Sequence, residues 1–360
     1  LDDVIIDVPP ESQVHRQIIR KDAEHRDIEL NTATRLYFVT LPESTLEDAR
    51  GEAKLLMSSL ESEWGLTDLR IETTELVKLQ VALASGDRGV TVAVFESTQI
   101  IGVWSGLFDA PRGVAVDVGS TTVAAHLCDL TTGDVLSSAS VMNPQIPFGE
   151  DLMSRVSYIM MHPEGAEAMS SAIQTALSKL FAELTDQLGE PTDNILEVSL
   201  VANPIMHHLV LGINPINLGG APFALTIDEA VTLKARDLGL DTHNQARLFV
   251  LPCIAGHVGA DTAGVILAES PDSDDAMSLI VDVGTNAEIV LGNKDRLLVC
   301  SSPTGPAFEG GEISAGQRAT AGAIERVRID RETLEPKFRV IGSELWSTEA
   351  GFEDSTKELN

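Results

Sequence analysis

Two stretches of this chain follow one design. Gly113 to Leu130 reads GVAVDVGSTTVAAHLCDL. Its apolar run Val114-Ala115-Val116 ends in Asp117, Gly119 follows two residues on, and the hydroxyls Ser120, Thr121 and Thr122 come next. A second apolar run, Val123 to Leu127, leads to the turn Thr131-Thr132-Gly133-Asp134. Ser278 to Leu291, SLIVDVGTNAEIVL, repeats the scheme: Leu279-Ile280-Val281 ends in Asp282, and Gly284, Thr285 and Asn286 follow. Each copy reads as strand, tight turn, strand. Asp117 and Asp282 stand 165 positions apart, a spacing that predicts two similar subdomains facing one another.

The turns suit a nucleoside triphosphate. Gly119 and Gly284 lack a Cβ, so the backbone there can approach a phosphate closely. Successive backbone N–H groups in such a turn form an anion-binding concavity, and the hydroxyls add donors. Asp117 and Asp282 carry the wrong charge to touch phosphate. Their expected work is to hold Mg²⁺, usually through its waters, or to orient an attacking water. The competing reading is a pair of ordinary hairpins with Asp and Gly at the turns; two matched copies favour phosphate binding.

Composition narrows the partners. The chain has 360 residues, 43% of them hydrophobic, enough for two or three domains. Acidic residues number 55 against 25 basic, a net charge of −30. Such a surface repels nucleic acid and anionic membranes, which are excluded as principal partners. Cys128, Cys253 and Cys300 are widely spaced, fit neither a disulfide framework nor a metal cluster, and predict buried thiols in a reducing cytoplasm. No run is long and apolar enough to span a membrane. The chain begins at Leu1 and closes on a polar stretch from Gly351 to Asn360, which reads as a piece lacking segments on both sides.

In chain order, residues 1–33 read as a polar linker around Pro9-Pro10. Residues 34–110 read as a small α+β domain: a strand from Arg35 to Thr40, a helix from Thr45 to Trp64 capped by Ser44 or Thr45, a second helix from Thr74 to Ala84, and a hairpin of Val90–Phe95 with Gln99–Trp104. Residues 111–277 hold the first phosphate turn. Asn143-Pro-Gln145 and Gly149-Glu150-Asp151 then lead into a helix from Leu152 to Met161. Asp151 there could position a water or metal, or simply cap the helix. Pro163 opens a longer helix to about Leu188, and a strand from Leu196 to Val201 ends at Asn203-Pro-Ile-Met-His207-His208. Adjacent histidines lack metal-ligand spacing and read as core or surface residues. A strand from Leu248 to Ile254 runs into Gly256-His-Val-Gly259-Ala-Asp261 and a helix through Ala268, a second form of phosphate-binding feature. Residues 278–360 hold the second turn, the loop Gly305-Pro-Ala-Phe-Glu-Gly310-Gly311, and a hairpin of Ala323–Asp330 with Lys337–Gly342.

The two turns resemble the phosphate motifs of the acetate and sugar kinase, heat-shock chaperone and actin superfamily, over roughly residues 111–342. The fold class expected is therefore α/β: actin-like ATPase (ribonuclease-H-like) subdomains, the second incomplete, preceded by a small α+β domain. A narrower resemblance comes from Asn143-Pro-Gln145 with Gly149-Glu-Asp151, from Ala202-Asn203-Pro-Ile-Met206-His207-His208-Leu209, and from Gly305 to Gly311. Together these look like the reductive activators of corrinoid proteins, with residues 34–110 as that family's middle domain. The resemblance implies ATP and Mg²⁺ as cofactors, and a two-iron two-sulfur cluster in an N-terminal domain outside this chain. It implies a corrinoid protein of a methyltransferase system as partner, and a homodimer. It also implies ATP-driven reduction of Co(II) to Co(I), with nucleotide turnover moving the subdomains. The site residues expected are Asp117, Asp282 and Asp151 for catalysis, the first two also for metal. Gly119, Ser120, Thr121, Thr122, Gly259, Gly284, Thr285, Asn286, Gly310 and Gly311 are expected for the nucleotide. The Gly-rich adenosine contact of the superfamily has no match here, so weak or absent ATP affinity is expected of this chain alone.

Two other readings stay open. A small-molecule kinase on the same fold would need a base beside a substrate hydroxyl, with Asp151 or Asp261 as candidates. A nucleotide-gated binding or chaperone-like module would need neither.

Overall fold

Short-range sequence signals set most of the elements in the computed structural model, which describes residues 30–43, 45–46, 49–284, 286–304 and 321–357. Two compact units emerge, residues 1–264 and 265–360, each taken by itself below.

The first unit opens with β1 (Thr34–Thr40), α1 (Glu52–Trp64), β2 (Arg70–Ile71), α2 (Thr73–Ser85), β3 (Gly89–Phe95) and β4 (Gln99–Ser105). The strands form one sheet in the order β1-β3-β4-β2. Leu55, Leu56 and Leu60 of α1 and Leu79 and Leu83 of α2 bury against Val39, Val90, Val92, Val94, Ile100 and Val103. Fully burying side chains of this size contributes about 1.5–3 kcal/mol each. The helix expected from Thr45 is a correction: α1 starts only at Glu52, after Gly51. Thr45 is irregular, Leu46 is fully exposed, and Ser44 lies outside the described residues. Apolar spacing carried the expectation across Gly51, where a glycine disfavours helix by about 1 kcal/mol.

The chain continues through β5 (Arg112–Val118), β6 (Thr122–Asp129), β7 (Val135–Met142), α3 (Leu152–Met161), α4 (Gly165–Asp186), β8 (Ile195–Ala202), α5 (Pro204–Val210), β9 (Val231–Lys234), β10 (Arg247–Val250) and the start of α6 (Ala260–Glu269). These strands build a six-stranded sheet in the order β7-β6-β5-β8-β10-β9. β5, β6 and β7 form an antiparallel meander; β8 runs parallel to β5 and β10 parallel to β8; β9 closes the edge antiparallel. This mixed sheet matches the expected ribonuclease-H-like subdomain. Met169, Ile173, Leu177, Leu180, Phe181 and Leu184 of α4 share its core with Val114, Val116, Val118, Val198 and Leu200. Arg112 pins the start of β5: it pairs with Asp129 at 2.6 Å and with Glu190 at 2.7 Å.

The two sheets of this unit are joined by a mixed contact. Ala93 and Ile101 pack with Leu196. Around them Gln245 Nε2 donates to Thr74 Oγ1 at 2.8 Å, Lys234 pairs with Glu72 at 3.1 Å, and Lys78 Nζ stands 3.1 Å from His243 Nε2.

The second unit contains the end of α6, the meander β11 (Ser278–Val283), β12 (Asn286–Asn293) and β13 (Arg296–Pro303), the hairpin β14 (Ile324–Ile329) with β15 (Pro336–Val340), and the short helix α7 (Phe352–Thr356). The division between the two units falls within α6. Leu279, Val281 and Val283 lie along one face of β11, and all three are exposed.

Candidate functional site

The parallel strands β5 and β8 end at the same level, with Val118 opposite Ala202 and Asp117 opposite Val201. In open α/β sheets the carboxyl ends of the strands are where ligands bind. Three features of this chain meet there. The turn from Gly119 to Thr122 leaves β5. Asn203 caps α5 after β8, its Oδ1 accepting from Met206 N at 3.0 Å. The segment Gly259-Ala260-Asp261 opens α6. A Cβ on Gly259 would stand 2.6 Å from both Ala202 O and Asn203 Cα, so only glycine lets α6 start against the β8–α5 junction.

The first turn is tied from behind. Gly119 N donates to Thr122 O at 2.9 Å, closing the hairpin. A Cβ on Gly119 would meet that same oxygen at 2.7 Å. Asn143 Nδ2 donates to Gly119 O at 2.7 Å and Asn143 N to Thr121 O at 2.8 Å. Arg155 Nη2 donates to Ser120 O. Asp117 and Thr121 are exposed, Gly119 and Thr122 half-buried, and Ser120 buried. An exposed carboxylate directly before a pinned turn is the arrangement needed for a hydrated Mg²⁺ beside a phosphate group.

Sequence reasoning missed the support. In sequence, Asn143 and Gln145 stand out only as part of a motif, and nothing there gives Arg155 or Met206 a role. Arg155 is wholly buried. Its Nε donates to Gly149 O at 2.9 Å, and its Nη1 lies 3.4 Å from Gln145 Oε1 and 3.2 Å from Met206 Sδ. Burial pulls its pKa down to about 10, against the field of Asp151. A signal existed: Arg155 sits inside the apolar stripe of α3, three residues after Leu152 and four before Ile159, where a solvated arginine has no business.

Asp151 is the N-cap of α3. Its Oδ1 accepts from Ser154 N at 2.8 Å, and Ser154 Oγ returns the contact to the Asp151 backbone. This is the capping alternative of the sequence reading. His207 and His208 are buried in α5. His208 Nε2 accepts from Thr226 N at 3.0 Å, which places its proton on Nδ1, 2.8 Å from Pro204 O. Burial drives the pKa of His207 down to about 4, so it is neutral at physiological pH. Among the described residues no group of three His, Cys, Asp or Glu side chains is placed to hold a metal. Cys128 is half-buried, Cys253 buried and Cys300 exposed; the expectation of three buried thiols fails at Cys300.

The second turn, in its own unit, is one residue tighter. Val283 pairs with Ala287, and Gly284 N donates to Asn286 O at 2.8 Å. Thr304 Oγ1 donates to Gly284 O at 2.9 Å. A Cβ on Gly284 would make only an ordinary 3.6 Å contact. Asp282 and Gly284 are exposed and Asn286 half-buried. Thr285, Gly310 and Gly311 lie outside the described residues.

Known proteins match the chain along most of its length. Family models described as the RACo linker region, the RACo middle region, and the C-terminal domain of RACo, the ASKHA domain, match residues 23–110, 112–273 and 276–351. This corrects one expectation: the small α+β domain at residues 34–110 matches the linker region and not the middle domain, and the middle-region model covers the six-stranded sheet. The corrinoid activation enzyme RamQ of Eubacterium limosum is 38% identical over 226 residues, 63% of this chain and 37% of that protein. A Co(II) methylated amine-specific corrinoid protein reductase of Methanosarcina barkeri is 27% identical over 214 residues, 58% of this chain and 39% of that protein. A solved reductive activator for corrinoid, iron-sulfur protein superposes with a TM-score of 0.73 at 30% identity, covering 93% of this chain and 56% of that one. This chain therefore spans less than two fifths of the two curated relatives.

Proposed function

Because this chain is a member of the RACo family, carrying its linker, middle and C-terminal regions in order, we propose that it is the nucleotide-driven part of a reductive activator of a corrinoid protein. The full protein would use ATP to pass one electron to a Co(II) corrinoid, giving Co(I) for a methyltransferase system. The electron-carrying iron–sulfur domain belongs outside this chain, whose three cysteines are far apart in sequence. The matching relatives, a corrinoid activation enzyme and a corrinoid protein reductase, support the substrate class.

The observation that carries the nucleotide assignment is the first turn. Asp117 stands exposed at the carboxyl end of β5, and the carbonyls of Gly119, Ser120 and Thr121 are each held from behind. A trans peptide sets its N–H opposite its C=O, so the turn presents donors on its other side. Asp117 is assigned to Mg²⁺ through water, with Gly119, Ser120, Thr121 and Thr122 on phosphate. Gly259 is assigned to bring the start of α6 to the same sheet end. Asp282, Gly284, Thr285 and Asn286 are assigned the equivalent chemistry on their own subdomain, and Gly310 and Gly311 further backbone contacts. Asp151 is assigned to shape the support as a helix cap. Bound Mg²⁺ would supply charge neutralisation for the phosphates.

The test is Asp117→Ala in the full-length protein, with phosphate release measured in the presence of the corrinoid protein. Loss of ATP turnover, by roughly 100-fold or more as for other removed charge stabilisers, is expected. Turnover at the wild-type rate would overturn the assignment.

A further inference from the structure

The phosphate turn has a buried cation behind it that no ligand contact requires. Arg155 reaches Ser120 O from α3, while Asn143 takes Gly119 O and, through its backbone N–H, Thr121 O. The two side chains adjoin, since Asn143 Nδ2 and Arg155 Nη1 lie 3.5 and 3.2 Å from the same Met206 Sδ. Asn143 is held in turn by Gln145 N donating to its Oδ1 at 2.9 Å, and Gln145 Nε2 donates to Met169 O at 3.0 Å. Asn143, Gln145 and Arg155 are each at most 1% exposed. The acceptors of Arg155 are backbone carbonyls, an amide oxygen and a thioether, and none is a carboxylate.

A buried guanidinium with no ion-pair partner among the described residues is costly to fold around. Helix α3 could meet a turn carbonyl with a neutral donor at smaller cost. We propose that Arg155, with Asn143, is a positioning residue for phosphate: it fixes the three turn carbonyls inward and sets a positive charge, held in no direct ion pair among the described residues, behind the outward donors. The turn's preference would then scale with the negative charge of the ligand. It would favour a triphosphate over a diphosphate, and both over an uncharged nucleoside. Binding of the phosphates would add counter-charge to the field of Asp151, which acts on Arg155 without a direct ion pair. This inference rests on the reading that the turn takes a nucleotide's phosphates.

The test uses the full-length protein and calorimetric affinities for ATP, ADP and adenosine, with melting temperature recorded for each variant. Arg155→Met keeps length and removes charge and donors. Its ATP affinity is expected to fall roughly 10- to 100-fold, the worth of a charge-assisted hydrogen bond. ADP should fall less, and adenosine should stay within about two-fold of wild type. Arg155→Lys, which keeps the charge, should recover much of the ATP affinity even if it melts lower. Asn143→Ser, which shortens the donor but keeps the charge behind the turn, should weaken ATP and ADP by similar factors; it also serves if Arg155→Met fails to fold. Equal losses for ATP and adenosine, or ATP binding as in wild type, would overturn the proposal. Wild-type protein that binds adenosine but not ATP also overturns it, whereas wild-type protein that binds neither removes the nucleotide reading on which it rests.

Discussion

At the scale of single residues, the two turns that look alike in sequence differ in what they tolerate. A Cβ at Gly119 collides with Thr122 O at 2.7 Å, while one at Gly284 finds 3.6 Å of room. Gly119→Ala should therefore distort the turn and weaken ATP binding by at least roughly 10-fold, since a displaced donor forfeits a hydrogen bond of about 1.4 kcal/mol or more. Gly284→Ala should leave the melting temperature within a degree or two, because surface changes without a clash stay within about 0.5 kcal/mol. Calorimetry and thermal melting of the two variants check both. Asp117 and Gly119 were legible in sequence because a strand ending in Asp-x-Gly is a local pattern. Arg155 was not, because the partners of a buried arginine come from Ser120, Gln145, Gly149 and Met206, four positions that only the folded chain brings together.

At the scale of elements, long periodic segments were readable and short ones were not. Helix α3 starts and ends where the sequence places it, and α4 and β8 lie within two residues of expectation. The strands β2 and β9, with two and four residues, are too short to show a period and exist because neighbouring strands offer an edge. Helix α1 lost its expected first two turns at Gly51. One ion-pair cluster ties elements that are distant in sequence. Arg112, on β5, bridges Asp129 at the end of β6 and Glu190 after α4, and its hydrogen bonds to Glu190 raise its pKa further while lowering that of Glu190. Arg112→Met leaves two carboxylates without their partner and should cost about 3 kcal/mol. Urea unfolding of the first unit measures this directly; a change below about 0.5 kcal/mol would show that solvent screens the cluster.

At the scale of the whole molecule, burial of histidine sets a pH dependence. His207 and His243 each carry a folded-state pKa pulled down by burial to about 4, for His243 with Lys78 nearby. The unfolded chain takes up these protons near pH 6.5. Stability is therefore full above that value and declines as pH falls from about 6.5 toward 4, by up to about 3 kcal/mol for each histidine. Glu75 and Glu197 are shifted upward by burial and act in the opposite sense within the carboxylate range. Denaturation midpoints should fall between pH 7 and pH 5, and a flat profile would contradict the burial of both rings. The same wholeness governs function. The turn, its support and the small α+β domain form one unit. On the proposed function, nucleotide drives electron delivery to a corrinoid. This coupling is tested most directly by adding ATP to reduced, full-length protein mixed with its Co(II) corrinoid partner and recording the visible spectrum. Loss of the Co(II) band and growth of the Co(I) band are expected with ATP, and neither change with Asp117→Ala. Reduction at the same rate without ATP, or in the variant, would contradict it.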